Sequence, residues 1–281
     1  MKKFAKIWLY ISLLSIAFGV VIVIAAMIAG SRWRTPIDTI SLKETYDNVE
    51  SLNFNFNYGR VYIKEGDSFS ISAENVPETA FNSYVSNGVW YIKEKYGILI
   101  NVFGKSIRID RWFDWDFEKN ARTITVTLPK DFIANECNLT IGAGEVDIEA
   151  INAKKGTFSV GAGKVNIDKL SITEKSDYEV GAGSMYINKI SAVNTEIECG
   201  IGEISISGEL KGYNNIQCGI GHIKININGH ESDYSYDLEA GLGNIVINNR
   251  RYHGMNTSIN NNTDNRLELE CGIGSIEIDF Y

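Results

Sequence analysis

Residues 197–206 read IECGIGEISI, and residues 216–225, nineteen positions later, read IQCGIGHIKI. The same pattern, an apolar–polar alternation interrupted by Gly-x-Gly, occurs seven times between residues 139 and 278. The steps between the first glycines of successive copies are 19, 20, 19, 19, 22 and 31 residues, so one unit takes about 19 residues and the last two steps carry inserted loops. A constant period of this length is the signature of a repeat architecture.

Each copy is predicted to form two short strands that meet at a corner, because apolar residues alternate with polar ones on both sides of the glycine pair. Glycine suits such a corner for two reasons: it reaches positive φ without strain, and it has no Cβ to collide with coils stacked about 4.8 Å above and below. The predicted corner glycines are Gly142, Gly144, Gly161, Gly163, Gly181, Gly183, Gly200, Gly202, Gly219, Gly221, Gly241, Gly243, Gly272 and Gly274.

The predicted fold class is all-β: a single-stack, parallel β-helix-like β-solenoid with coils of about 19 residues. One column down the copies consists only of isoleucine, and we interpret it as a packed interior stack. Its members are Ile148, Ile167, Ile187, Ile206, Ile225, Ile247 and Ile278. One coil buries too little apolar surface to fold alone, so we expect the seven segments to superpose as successive rungs.

The glycine pairs do not match a phosphate-binding loop, since no copy reads G-x-x-x-x-G-K-[ST] or G-x-G-x-x-G. Neither H-E-x-x-H nor G-x-S-x-G occurs in the sequence, and its only histidines are His222, His230 and His253. We therefore predict no catalytic residues, no cofactor and no metal site, and we expect that the protein is not an enzyme. The chain carries 27 basic and 35 acidic side chains, a net charge of −8 that argues against nucleic-acid binding.

Residues 7–29 form a run of 23 residues without a charge, long enough to cross a membrane. We predict an uncleaved signal anchor with a cytoplasmic N-terminus at residues 1–6 and an extracytoplasmic C-terminal domain in a single-pass protein of the cell membrane. Cleavage near Ala29 is the alternative, but the apolar run is longer than that of a signal peptide. A juxtamembrane linker at residues 30–46, a β-rich cap at residues 47–136 and the repeat solenoid at residues 137–281 complete the predicted domains.

An aromatic run within the predicted cap reads RWFDWDF at residues 111–117. Alternation places Phe113, Trp115 and Phe117 on one face, most simply as a plug over the first coil. The alternative interpretation is a contact with a partner or with a membrane surface, and Trp112 would also belong to that contact.

Cys199, Cys218 and Cys271 fall in one apolar column, where cysteine acts as a small hydrophobe; a Cys199–Cys218 disulfide is the alternative. A neighbouring outward column carries Glu179, Glu198, Glu239 and Glu270. A solvated face is the simplest interpretation of these carboxylates, and binding of calcium or of a cationic surface polymer is the alternative. His222 lies at an outward strand position.

The chain resembles a bacterial family of β-strand-repeat domains of unknown function, described as putative adhesins and related to toast-rack envelope proteins. The matching features are the strand pair NVESLNFNFNYGRVYIKEGDSFSI at residues 48–71, the strand TITVTLPKDF at residues 123–132, and the G-x-G coils that follow. The resemblance covers residues 47–281. It implies a membrane-anchored protein without known catalytic residues and, for some members, a link to envelope-stress responses.

The predicted function is that of a non-catalytic, adhesin-like or scaffold module at the bacterial cell envelope, accessory to an envelope-stress response. Its expected partners are the membrane, through Ile7 to Ala29, and an envelope protein or surface polymer. One alternative is a sensor or regulatory subunit that acts through its membrane helix on another membrane protein. The other is a polysaccharide-acting enzyme built on a β-helix.

Overall fold

The structure is a computed structural model that describes residues 39–78, 80–94, 98–102, 105–109, 122–252 and 256–281. The predicted membrane span at residues 7–29 and the aromatic run at residues 111–117 lie outside these ranges. None of the helices in the described ranges has the length and apolar character needed to cross a membrane.

Most of the described residues lie in β-strands. The first strands are β1 (Thr39–Tyr46), β2 (Ser51–Phe56), β3 (Arg60–Gly66), β4 (Phe69–Pro77), β5 (Phe81–Ser86), β6 (Val89–Glu94), β7 (Ile98–Val102), β8 (Lys105–Ile109) and β9 (Thr123–Pro129). The middle strands are β10 (Ala134–Ile141), β11 (Glu145–Val160), β12 (Lys164–Val180), β13 (Ser184–Val193), β14 (Thr195–Cys199), β15 (Glu203–Lys211), β16 (Tyr213–Cys218) and β17 (His222–Ile227). The last strands are β18 (Tyr234–Ala240), β19 (Asn244–Ile247), β20 (Arg250–Tyr252), β21 (Asn256–Ile259), β22 (Asn265–Cys271) and β23 (Ser275–Phe280).

Pairs of these strands form rungs, each made of two strands that meet at a corner and pair in parallel with the rungs on either side. We number the rungs in spatial order, and the described residues form nine. Rung 1 is β6 with β9, and rung 2 is β2 with β3. Rung 3 is β10 with the first half of β11, and rung 4 is the second half of β11 with the first half of β12. Rung 5 is the second half of β12 with β13. Rung 6 is β14 with β15, rung 7 is β16 with β17, rung 8 is β22 with β23, and rung 9 is β18 with β19.

The interior of the stack is the predicted apolar core. The seven isoleucines of the Ile148 to Ile278 column are all at most 2% exposed, and their backbones pair directly from rung to rung. The column that begins with Val146 and includes Met185 is equally buried. The predicted β-solenoid-like architecture is therefore confirmed for the repeat region.

The rungs follow chain order only in the middle of the stack. At one end, the last copy of the repeat, rung 8, lies between the fifth copy, rung 7, and the sixth copy, rung 9. At the other end, the chain builds rung 2 first, then rung 1, and returns to start rung 3. At each end of the stack, the spatial order of the rungs therefore differs from their order along the chain.

Antiparallel strands pair with the two end rungs, where a parallel ladder would otherwise present free N–H and C=O groups. On rung 1, β5 pairs with β6, and β4 pairs with β9; β1 then pairs with β4. On rung 9, β20 pairs with β19 and β21 pairs with β18. These short antiparallel strands cover edges that could otherwise pair with other chains.

The backbone angles of the corner glycines correct one of the two reasons given for them. None of the fourteen has a positive φ, so left-handed backbone is not the reason for glycine. Close approach is the reason: a Cβ on the second glycine of each pair would lie 2.1–2.8 Å from a carbonyl oxygen of the rung below. A Cβ on the first glycine would lie 2.7–3.0 Å from such an oxygen.

Candidate functional site

The middle residue of each Gly-x-Gly corner points into solvent, and in rungs 6 to 9 it is a large aliphatic residue. We call these four residues the aliphatic ridge. In spatial order, with their exposed fractions, they are Ile201 (68%), Ile220 (58%), Ile273 (59%) and Leu242 (88%). In rungs 3 to 5 the corresponding residues are Ala143, Ala162 and Ala182. The ridge is therefore confined to one half of the solenoid.

The backbone of the ridge is fixed by the same ladder that joins the rungs. The N–H of Ile201 donates to the Gly181 carbonyl at 2.8 Å, and the N–H of Ile220 donates to the Gly200 carbonyl at 2.8 Å. Rungs 8 and 9 continue this pattern, with bonds of 2.8 and 2.9 Å from Ile273 and Leu242 to the first glycine of the preceding rung. The aliphatic side chains thus stand at regular intervals of about 4.8 Å along the solenoid axis.

The glycines also leave the ridge side chains without shielding neighbours at the corner itself. Because a glycine lies directly before and after each ridge residue, no side chain from the same rung stands beside it within the corner. Large apolar side chains arranged in an exposed contiguous row are unusual on a protein surface and mark interaction sites.

One side of the ridge is lined by an acidic column, the outward residue two positions before the first glycine. From rung 5 to rung 9, this column consists of Glu179, Glu198, Gln217, Glu270 and Glu239. The four glutamates are exposed. Within the described residues, Glu179 accepts a hydrogen bond from Ser159, whereas Glu198, Glu239 and Glu270 have no hydrogen-bond or ion-pair partner. Three carboxylates are thus available beside the ridge.

The other side of the ridge is nearly neutral. Its residues in rungs 6 to 9 are Glu203, His222, Ser275 and Asn244, all half-buried. Glu203 accepts a hydrogen bond from the Tyr186 hydroxyl at 2.8 Å, and His222 Nδ1 lies 2.6 Å from the Ser275 hydroxyl. In rungs 6 to 9 this side carries one carboxylate, Glu203, whereas the acidic column carries three, so the charge around the ridge is asymmetric and more negative on the side of the acidic column.

Behind the ridge, three thiols stack in consecutive rungs. Cys199 pairs with Cys218, and Cys218 pairs with Cys271, which becomes a neighbour only because rung 8 is inserted next to rung 7. All four cysteines are free and buried, so the alternative of a Cys199–Cys218 disulfide is not what this structure contains. Burial raises the pKa of the Cys271 thiol. It also raises the pKa of Cys137, which lies in rung 3 outside this column, to about 12, so Cys271 and Cys137 act as small apolar groups.

The thiol column also explains part of the glycine requirement. A Cβ on Gly221 would lie 2.7 Å from the Cys199 sulfur, and a Cβ on Gly274 would lie 2.9 Å from the Cys218 sulfur. Each sulfur therefore fills the space that the second glycine of the next rung leaves open.

The sequence singled out two sets of residues, the corner glycines and the aromatic contact residues, and the structure describes only the first set. The fourteen glycines lie at the corners of rungs 3 to 9, and eight of them flank the four ridge residues. The candidate contact residues Trp112, Phe113, Trp115 and Phe117 lie outside the described residues. The ridge itself was missed, although its signal is in the sequence: the middle position of the motif is Ala in the first three copies and Ile or Leu in the last four.

No group of three or more His, Cys, Asp or Glu side chains in the described ranges is arranged to hold a metal ion. The acidic column illustrates why: its carboxylates are spread along the axis, one per rung, instead of converging on a point. The geometry offers an elongated apolar contact line with negative charge on one side.

Comparison with known proteins gives one family and several solved structures. Residues 45–279 match the Toastrack DUF4097 family. A putative adhesin from Bacteroides fragilis is 13% identical, with 86% of this chain and 98% of that chain covered and a TM-score of 0.43. A putative cell adhesion protein from Clostridium sporogenes is 15% identical, with coverage of 87% and 100% and a TM-score of 0.35.

A putative lipid binding protein from Parabacteroides distasonis is 13% identical, with coverage of 86% and 96% and a TM-score of 0.30. No curated protein matches the chain. The family match runs from β1 to β23 and confirms the resemblance noted in the sequence. The chain therefore belongs to the Toastrack DUF4097 family.

Proposed function

We propose that this protein is a non-catalytic, adhesin-like binding module, held at the cell membrane by residues 7–29 and carrying its solenoid outside the cytoplasm. The aliphatic ridge is its binding surface. The observation that supports this proposal is the exposure of four large aliphatic side chains in four consecutive rungs, on a backbone that the interstrand ladder holds in place.

The ridge is not needed for folding, which is why it supports a binding role. The same corner position carries alanine in rungs 3 to 5, where the ladder and the core are equally regular. A large side chain at Ile220 or Leu242 therefore adds solvent-exposed apolar surface without adding core. A partner that covers this surface would gain roughly 25 cal/mol per Å² of apolar area removed from water.

The position of the ridge also suits a binding module. The chain enters the described region through β1, which lies beside rung 1, and the ridge occupies rungs 6 to 9 at the opposite end of the stack. With about 4.8 Å per rung, rung 9 lies roughly 38 Å from rung 1. The solenoid thus acts as a rigid spacer between its entry point and its binding surface.

The test is site-specific photocrosslinking of the full chain in intact cells. A benzophenone amino acid replaces each of the four ridge residues in turn, one per variant, and the exposed Lys189 of β13 in a control. We expect an adduct from position 220 that is absent from position 189 and that weakens when Ile201 and Ile273 are changed to serine. Absence of adducts from all four ridge positions would overturn the proposal. Membrane fractionation and protease accessibility in intact cells test the anchor and the location.

A further inference from the structure

We propose that the aliphatic ridge binds an amphipathic α-helix with a basic flank, laid along the solenoid axis. This inference rests on the proposed function, because it names the chemistry of the partner for the same surface. Two observations support it: the spacing of the ridge and the asymmetric charge beside it.

The spacing of the ridge fits the rise of an α-helix. The ridge residues stand at about 0, 4.8, 9.6 and 14.4 Å along the axis. In an α-helix, residues i, i+3, i+7 and i+10 share one face and rise by about 0, 4.5, 10.5 and 15 Å. The two series agree to within about 1 Å over four contacts. An extended strand fits less well, because its side chains on one face recur every 6.6–6.8 Å or so.

The narrow shape of the ridge favours a helix for a second reason. The flanking glycines leave no side chain beside Ile220 or Ile273 within the corner, so the apolar residues of a helix can straddle the ridge on both sides. A helix with apolar residues at i, i+3, i+4 and i+7 presents such a stripe. The interface then resembles the packing of a ridge into a groove between two helices.

The acidic column determines the charge of the helix. Glu198, Glu270 and Glu239 stand on one side of the ridge without partners in the described part of the chain, in rungs 6, 8 and 9. Lysine or arginine residues along one flank of the helix would meet these carboxylates one after another. Such complementarity accelerates association and fixes the orientation of the helix.

The same charges disfavour the two other occupants. An anionic lipid surface would be repelled by the acidic column and by the net charge of −8. A second copy would bring a second acidic column to the contact, and the only helix in the described residues is the 3-10 turn at Glu231–Asp233. These charges favour a basic helix of another molecule over either of those occupants.

The experiment uses the full-length chain in nanodiscs of zwitterionic lipid and a fluorescein-labelled, 18-residue peptide of leucine and lysine in an amphipathic helical pattern. A scrambled peptide of the same composition and an amphipathic leucine–glutamate peptide serve as controls. Peptide partition into lipid is the same for every variant, so the difference between variants reports binding to the protein.

Two double variants test the two parts of the surface, each with a matched control. Ile220→Ser with Ile273→Ser removes the centre of the ridge, and Ile133→Ser removes an aliphatic residue that is 60% exposed elsewhere. Glu239→Gln with Glu270→Gln removes charge beside the ridge, and Glu78→Gln with Glu136→Gln removes the same charge from exposed positions elsewhere.

We expect the leucine–lysine helix to bind, the ridge variant to bind about tenfold or more weakly, and the Glu239/Glu270 variant to bind a fewfold more weakly at low salt only. The control variants should match the wild type. Equal binding of the scrambled or acidic peptide, or an unaffected ridge variant, would overturn the inference.

The outcomes also separate this inference from the proposed function. If the helix does not bind but position 220 still forms adducts in cells, the ridge is a binding surface for a different partner and only the inference fails. A dimer by sedimentation that Ile220→Ser with Ile273→Ser abolishes would assign the ridge to a second copy, which also overturns the inference. If both the helix and the adducts are absent, the proposed function fails as well.

Discussion

The Arg122 guanidinium donates two hydrogen bonds to the Glu94 carboxylate in the interior of rung 1, one of them 3.0 Å long. Rung 1 has no Gly-x-Gly corner: β6 ends at Glu94, and the rung resumes just after Arg122 with β9. The backbone N–H of Asn57 also donates to Glu94, at 3.0 Å, and the guanidinium lies 4.8 Å from the centre of the Tyr58 ring. The ion pair therefore joins the end of β6 to the start of β9 at the corner position of rung 1.

This geometry predicts how the pair responds to substitution. Arg122→Gln leaves the Glu94 carboxylate buried without its cation, and we expect a loss of about 3–5 kcal/mol in the free energy of unfolding. Burial already raises the pKa of Glu94, and the loss of Arg122 would raise it further. The double variant Glu94→Leu with Arg122→Met removes both charges and should lose less than Arg122→Gln. Urea unfolding measures the free energy of unfolding of each variant. A double variant that is less stable than Arg122→Gln would contradict this account of the ion pair.

Substitution of a core isoleucine by aspartate tests the stack itself. Ile206 and Ile225 are fully buried and pair directly in rungs 6 and 7. Ile206→Asp or Ile225→Asp places an unpaired charge among aliphatic side chains, and we expect a loss of more than about 4 kcal/mol or complete unfolding. The control is Ser205→Asp, one residue away on the outward face, which should change stability by less than about 0.5 kcal/mol. Thermal unfolding followed by circular dichroism distinguishes the two, and equal melting temperatures would contradict the proposed core.

The two glycines of one corner should differ in their tolerance of alanine. A Cβ at Gly221 would lie 2.3 Å from the Gly202 carbonyl oxygen, whereas a Cβ at Gly219 would lie 3.0 Å from the Gly200 carbonyl oxygen. We expect Gly221→Ala to cost about 1–3 kcal/mol or more, because both rungs must shift, and Gly219→Ala to cost less. Chemical denaturation of the two variants measures the difference. The reverse order would show that backbone conformation, and not close approach, selects glycine here.

Alkaline pH should destabilise the fold through buried tyrosines. Burial raises the pKa of Tyr234 to about 12, and it raises that of Tyr178 as well. In the unfolded chain a tyrosine ionises near pH 10. Between pH 10 and 12 the unfolded chain therefore loses protons that the folded chain keeps, and the free energy of unfolding falls as the pH rises.

The measurement is the tyrosinate absorbance at 295 nm together with denaturation at each pH. Tyr234→Phe should reduce the fall in stability above pH 10, although it also removes the hydrogen bond from the Tyr234 hydroxyl to the Leu210 carbonyl. The matched control is Tyr281→Phe, because Tyr281 is 68% exposed and should leave the pH dependence unchanged. Equal effects of the two variants would contradict the assignment.

The regular part of this fold could be predicted from the sequence because one residue type repeats at one place in each coil. The column from Ile148 to Ile278 needs only the period of the pattern to be recognised as core. The order of the end rungs could not be predicted in this way. The copies at Leu238 and Leu269 follow the same template, and either would fit next to rung 7; the longer connections and the antiparallel strands β20 and β21 determine which one does.

The binding surface was missed for a related reason. A pattern written as Gly-x-Gly treats its middle position as variable, so the change from Ala182 to Ile201 carries no information about the fold. That change matters only when the corners are stacked, because the side chains then form a continuous row. Rungs 1 and 2 were likewise not recognised as coils, since the corner of rung 2 is Asn57-Tyr58-Gly59 and that of rung 1 is closed by Glu94 and Arg122.

The crossed order of the end rungs limits how such a protein can change its length over evolutionary time. A duplication or deletion of one whole coil among rungs 4 to 6 leaves every remaining coil with a neighbour of the same shape, because chain order and stacking order agree there. The same event at rung 8 would separate rung 9 and its antiparallel strands from the stack or force them into a new arrangement. Relatives with longer or shorter solenoids should therefore differ in the number of central coils and keep both crossed ends.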